Sequence, residues 1–169
     1  MKRNQNTVYV RRLTRGALIA ALYVILTYLS SVFGLASGVI QLRISEMLCI
    51  LPIFFPEAIA GLFIGCFISN IIAGGVIWDI IFGSIATLIG AVGAYLLRAL
   101  PKKLIWLATL PTVLANAVIV PFVLILAYGA PEGYFFIMLT VAIGEILSAG
   151  VLGTAFYYSV RKPIEKGLI

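Results

Sequence analysis

Gln41-Leu42-Arg43-Ile44-Ser45-Glu46-Met47-Leu48-Cys49-Ile50-Leu51-Pro52-Ile53-Phe54-Phe55-Pro56 is the stretch on which the fold turns. Its first six residues hold an amide, a cation, a hydroxyl and an anion, and an apolar run follows that ends at a proline. Arg43 and Glu46 stand i,i+3, the spacing at which two charges share one helix face and can pair. Long apolar segments lie on both sides. Whether the short apolar part, about 45–55, crosses a membrane decides the number of spans and the side on which every later loop falls.

Composition supplies the membrane. The 169 residues are 63% hydrophobic and 11% charged, with a mean hydropathy of +1.16, whereas soluble domains carry roughly 25% charged residues. Such a chain has too little polar surface to face water on all sides. The length suits one bundle of helices, at about 20 residues per span plus short connections. Histidine is absent, and the two cysteines, Cys49 and Cys66, both sit in apolar runs. Histidine acid–base chemistry, histidine metal sites and a disulfide framework are thereby excluded, so neither metal nor cofactor is expected. The net charge of +6 would suggest nucleic acid in a soluble protein. In a membrane protein the placement of the charges matters more, and no nucleic-acid partner is expected.

In chain order, residues 1–15 form a basic arm with five cations and no acid. The first apolar segment, 16–32, is too long for a signal-peptide core and lacks a convincing cleavage site, so it reads as an uncleaved first span. Gly34, Ser37 and Gly38 then loosen the chain ahead of the opening stretch. Further spans are expected at about 45–55, 57–73, 79–97, 104–128 and 134–160, within a membrane domain of 16–160, and a basic tail of 161–169 follows. Pro56-Glu57 suits a helix start, and Gly74-Gly75 suits a break. Pro111 and Pro121 each remove a backbone donor from the fifth span and are expected to bend it.

Six crossings put Lys2, Arg3, Arg11, Arg12, Arg15, Arg98, Lys102, Lys103, Arg161, Lys162 and Lys166 on one side and leave Arg43 alone on the other. Cations collect on the cytoplasmic side. Both termini are therefore expected to be cytoplasmic, in the cell membrane, with Gln41–Glu46 on the outer side.

Small residues recur at four-residue spacing, which lets helices approach closely in lipid. Gly61 and Gly65 suit packing within the bundle, and Ala17 and Ala21 suit either that or an external helix. Polar residues at membrane depth are few: Glu145 and Asn116 near mid-span, Asn70 in an outer half, and Asp79 at an outer mouth. A carboxylate at mid-membrane costs about 3 kcal/mol or more unless paired, hydrated or protonated. No span holds a cation at the depth of Glu145, which favours a cavity and a ligand over a protonated carboxyl bonded to a neighbouring helix. Asn116 suits a ligand or an interhelical clamp, Asp79 a ligand or a helix cap, and Asn70 a ligand or the nearby Gly74-Gly75 break.

Several of these pieces together carry a resemblance. Gly-Ala-Leu-Ile-Ala-Ala-Leu-Tyr at 16–23, Gln41-Leu42-Arg43-Ile44-Ser45-Glu46, Gly-Leu-Phe-Ile-Gly-Cys-Phe-Ile-Ser-Asn at 61–70, Asp79 with Phe82-Gly83, and Pro111 with Asn116 resemble the QueT family. The resemblance spans about Thr14 to Tyr157, and its most specific piece is Gln-x-Arg-x-Ser-Glu. It implies an all-α, six-transmembrane-helix bundle of the type found in substrate-binding (S) components of energy-coupling factor (ECF) transporters, which import queuosine precursors. It also implies a transmembrane coupling protein docking on Ala17 and Ala21, and two partner ATPases. The chain itself has no Gly-x-x-x-x-Gly-Lys-Ser/Thr phosphate loop.

If the substrate is a 7-deazaguanine, its ring N–H and exocyclic amine are two parallel donors that one carboxylate accepts together, the role expected of Glu145. Asn116 suits the carbonyl edge or a ring nitrogen. Asp79 suits the ammonium of a 7-aminomethyl group. Trp78, Tyr128 and Tyr134 suit stacking on the base or ordinary anchoring at the interface. Gln41, Arg43 and Glu46 suit an outer lid or direct contact. An S component for another vitamin or nucleobase remains the nearest alternative. A small intramembrane enzyme is the alternative from another class, although the spans hold no histidine, Ser–Lys pair or clustered acids of the kind such enzymes use.

Overall fold

The computed structural model describes residues 2–35 and 40–167, with side chains from residue 5 onward. Ser37 and Gly38 of the expected loose loop, and the Lys2 and Arg3 side chains of the basic arm, lie outside the described residues. Among the described residues every regular element is helical. Helix α1 is Lys2–Val32, α2 Ala58–Ile72, α3 Ile77–Leu96, α4 Leu110–Tyr128, α5 Tyr134–Glu145 and α6 Gly153–Glu165. Tighter 3-10 turns fill Ile44–Ile53, Leu97–Ala99 and Lys102–Thr109, and a wider π-helical run fills Ile146–Leu152. Among the described residues four stretches are long and apolar enough to cross a membrane: Gln5–Val32, Ile77–Ala99, Lys102–Tyr128 and Tyr134–Glu165. The apolar helices Ile44–Ile53 and Ala58–Ile72 are shorter. The chain is thus built as a multi-pass membrane protein.

The basic arm continues the first apolar segment without a break. At about 1.5 Å per residue, the 31 residues of α1 extend about 46 Å, well beyond a hydrocarbon core of about 30 Å. It ends in a Schellman turn: Gly34 takes φ +69°, its N–H reaches the Ser31 carbonyl, and the Leu35 N–H reaches that of Ser30. The expected Gly74-Gly75 break has the same geometry, with Gly74 at φ +74° and bonds to the carbonyls of Ile71 and Asn70. At the other end of the chain, α6 continues through Arg161 to Glu165, and these two pair at 2.8 Å. Pro111 stands in the first turn of α4, where no helical donor is lost, and Pro121 lies inside that helix.

The segment Ile44–Ile53 is a 3-10 helix buried among its neighbours. Ser45, Glu46, Leu48, Cys49, Ile50, Leu51 and Pro52 are all buried, and α1, α2, α3, α6 and the π run all pack on it. Such a segment has no solvent face, so hydrophobic periodicity cannot report its winding. Leu48, Cys49 and Leu51 join Ile19, Tyr23, Leu62 and Cys66 in the largest apolar cluster. The helices close around this centre through small residues. A Cβ on Gly61 would strike the Gly16 backbone, one on Gly65 the Ala20 backbone, and one on Gly93 the Pro111 ring. Gly61 and Gly65 therefore serve the contact between α1 and α2, while Ala17 and Ala21 remain exposed on α1.

Candidate functional site

Around Glu145 the structure gathers side chains from three parts of the chain. Gln41 and Arg43 precede the 3-10 segment, and Arg43 has extended dihedrals of φ −103° and ψ +102°. In extended chain, residues two apart point the same way. Both side chains accordingly line one small cavity, facing Asn116 and Val120 of α4 and Val141 and Glu145 of α5. The cavity measures about 10 Å³, room for about one water. Gly144 brings the loop this close, because a Cβ there would run into the Gln41 carbonyl.

Glu145 is 7% exposed, and its Oε2 is buried with no hydrogen-bond partner among the described residues. The bond to a neighbouring helix that would neutralise this oxygen is thus not made. The carboxylate stands at the junction of α5 with the seven-residue π run, a winding that occurs preferentially at functional sites. Asn116, 3% exposed, donates from Nδ2 to the Thr112 carbonyl of its own helix at 3.2 Å. That bond directs the amide without clamping another helix.

Glu46 behaves differently from expectation. Among the described residues the ion pairs are Arg15–Glu57 and Arg161–Glu165, and Arg43 and Glu46 do not pair. Glu46 is 1% exposed and bonded to other partners. One of its oxygens accepts from the Tyr23 hydroxyl of α1, and the other from the Cys49 thiol at 3.2 Å. Beside it the Thr27 hydroxyl donates to Ser45 at 2.8 Å, and Ser30 accepts from the Ile44 N–H at 3.0 Å. This buried polar seam fastens the start of the 3-10 segment to α1 and leaves Arg43 to the cavity. Helical spacing suggested the Arg43–Glu46 pair, and it fails because Arg43 is in extended backbone. Tyr23 and Thr27, four apart on α1, are the partners that sequence reasoning missed. Their i,i+4 spacing on one face was the available signal.

Asp79, Asn70 and Tyr128 form a second cluster. The Tyr128 hydroxyl donates to Asp79 Oδ2 at 3.0 Å and accepts from the Val76 N–H at 3.3 Å. Asn70 Nδ2 donates to the Asp79 carbonyl at 3.3 Å, tying α2 to α3 across the glycine break. Asp79 does not cap α3, whose N-cap is Val76. Trp78 stacks on Phe82 and, half exposed, borders an apolar groove of about 560 Å³ between α3 and α4. Tyr134 lies against Phe122 and donates to the Val118 carbonyl on the outer face of α4. These residues do not line the Glu145 cavity, although Asp79 and Glu46 both lie within electrostatic reach of Arg43. Ala17 and Ala21 line a groove of about 820 Å³ between α1 and α2, remote from the Glu145 cavity in its lining residues.

Comparison with known proteins matches this architecture to one family. Residues 13–162 match the family model described as QueT transporter. Over 74 residues the chain is 42% identical to the Queuosine precursor transporter QueT of Lactococcus lactis subsp. cremoris (strain MG1363), and the match covers 43% of each chain. The aligned part thus spans less than half the length of that relative. No solved structure matches the chain. With 150 of its 169 residues, 13 through 162, inside the family model, the chain belongs to the QueT transporter family.

Proposed function

We propose that this chain is the substrate-binding subunit of an ECF-type importer and takes up a queuosine precursor of the 7-deazaguanine type. The observation that carries the reading is the buried, unpartnered Oε2 of Glu145 in a cavity shared with Asn116, Gln41 and Arg43. A buried carboxylate oxygen without a donor is costly until a ligand brings one. The base supplies two donors side by side, and Asn116, with one amide hydrogen bonded to Thr112, keeps its second hydrogen for the carbonyl edge or a ring nitrogen. Asp79, held by Tyr128, is the second carboxylate available for a 7-aminomethyl ammonium, with Asn70 fixing its backbone. Trp78, Tyr128 and Tyr134 remain candidates for stacking at the outer rim.

A bicyclic base does not fit in about 10 Å³. Binding therefore requires the Gln41–Arg43 segment to withdraw from Gly144, and this segment, anchored by Glu46, is the lid of the site. Six crossings with both termini cytoplasmic accord with the charge pattern. Ile44–Ile53 can serve as the second crossing because 3-10 winding extends its ten residues over about 20 Å. Extended backbone of the kind Arg43 adopts would let residues 41–43 add about 10 Å, so the two together match a core of about 30 Å. The groove bearing Ala17 and Ala21 is the docking face for the transmembrane coupling protein, whose two ATPases drive transport.

A thermal-shift panel on purified protein tests the reading. It would compare guanine, 7-cyano- and 7-aminomethyl-7-deazaguanine, queuine and unrelated vitamins. Stabilisation by the deazaguanines and not by the vitamins is expected. A vitamin that stabilises the protein while every deazaguanine fails would overturn the substrate class.

A further inference from the structure

Arg43 is a cation that the lid role does not explain. Its nearest acid in sequence, Glu46, is already satisfied by Tyr23 and Cys49. Its guanidinium borders the same cavity as Glu145, yet among the described residues no ion pair joins the two. Simple neutralisation would bring a buried acid and a half-buried cation into contact, because charges held apart forgo most of their mutual attraction. An acid and a cation held apart across one cavity instead match a ligand that places an acceptor next to donors.

We infer that Arg43 is a specificity-determining contact: its guanidinium donates to the C6 carbonyl of the base while Glu145 accepts from the adjacent N–H and amine. This rests on the 7-deazaguanine reading above and makes it narrower. The three polar positions on one edge of a guanine-type base are acceptor, donor, donor. Arg43 followed by Glu145 supplies the complement in that order. An adenine-type base turns an amine towards Arg43 and a bare ring nitrogen towards Glu145, leaving both charges unmatched. Sites of this kind reject the wrong pattern strongly, because their own polar groups are left without partners. The seam of Tyr23, Glu46 and Cys49 then acts as a positioning device that keeps Glu46 from competing for Arg43.

The test is titration calorimetry with 7-aminomethyl-7-deazaguanine and its 6-thio analogue, which keeps both donors and weakens the acceptor. Wild-type protein should bind the 6-oxo ligand about 10-fold or more tightly than the 6-thio one, the scale of a charge-assisted hydrogen bond. In Arg43→Met that preference should shrink to within about twofold, with both ligands bound more weakly. A wild-type preference below about twofold would overturn the inference without any variant. So would an Arg43→Met protein that loses affinity for both ligands while keeping the wild-type ratio, the result expected of a lid alone. If wild-type protein binds neither ligand nor any other deazaguanine of the panel above, the 7-deazaguanine reading itself fails, and the role of Arg43 falls with it.

Discussion

Tyr23 and Glu46 show what a membrane interior demands of a polar side chain. Glu46 is 1% exposed and has a donor on each oxygen, whereas Glu145, 7% exposed, has an oxygen with none. The first is a satisfied structural acid, and the second is open to a ligand. Tyr23→Phe removes one donor from Glu46 without changing the shape of the ring. Leaving a buried acceptor unmet costs about 1–3 kcal/mol. The melting temperature in detergent should fall by roughly 2–4 °C per kcal/mol for a chain of this size. Ligand affinity should fall with it, since the freed carboxylate can turn to Arg43. An unchanged melting temperature would show that the seam does not fasten α1 to the 3-10 segment.

At the scale of elements, the glycines of the last long helix separate close packing from open space. A methyl on Gly144 would collide with the Gln41 carbonyl, whereas one on Gly150 meets nothing nearer than 3.9 Å. Gly144→Ala should push the loop off α5 and destabilise the ligand-free protein by about 1–3 kcal/mol, the scale of an overpacking cost, without weakening ligand binding, because binding itself requires that withdrawal. Gly150→Ala should stay within about 0.5 kcal/mol of wild type in binding and stability. Equal effects of the two substitutions, measured by calorimetry and thermal melts, would contradict the close approach. The sequence shows these elements unevenly. Apolar length marked the long helices, and Gly74-Gly75 and Pro56 marked their joints, because glycine and proline act through their own backbones. The windings of Ile44–Ile53 and Ile146–Leu152 were not legible. The first is enclosed on all sides, and in the second a π turn changes which backbone groups bond without changing the composition. Glu145 and Asn116 stood out because lipid tolerates them poorly. For Arg43 the sequence leaves an outer lid and direct contact both open, and it suggests a pair with Glu46 that the structure does not make, because residue spacing reports a shared face only once the winding is known.

Across the whole molecule, the two tasks proposed above fall on two separate sets of residues. The Glu145 cavity lies between the Gln41–Arg43 segment, α4 and α5, and the exposed pair Ala17 and Ala21 lies in the groove between α1 and α2. Ala17→Trp fills that groove without touching the cavity lining. It should abolish assembly with a coupling protein in pull-downs while leaving substrate affinity within about twofold, as expected for substitutions with no shared partners. Normal assembly would remove the groove from the transport reading. Loss of both assembly and binding would show instead that the groove and the cavity are one unit.

The reading of the molecule as a base-binding transport subunit depends most on Glu145. The direct measurement is calorimetric titration of 7-aminomethyl-7-deazaguanine into wild-type protein and into Glu145→Gln, each checked for a normal melting temperature. Glu145→Gln keeps the side chain's shape, removes its charge and turns an amide donor towards the donors of the base. Binding should weaken about 100-fold or more, the scale of losing one charge-assisted bond and opposing two donors. Equal affinity in the two proteins would place the base elsewhere and contradict the site.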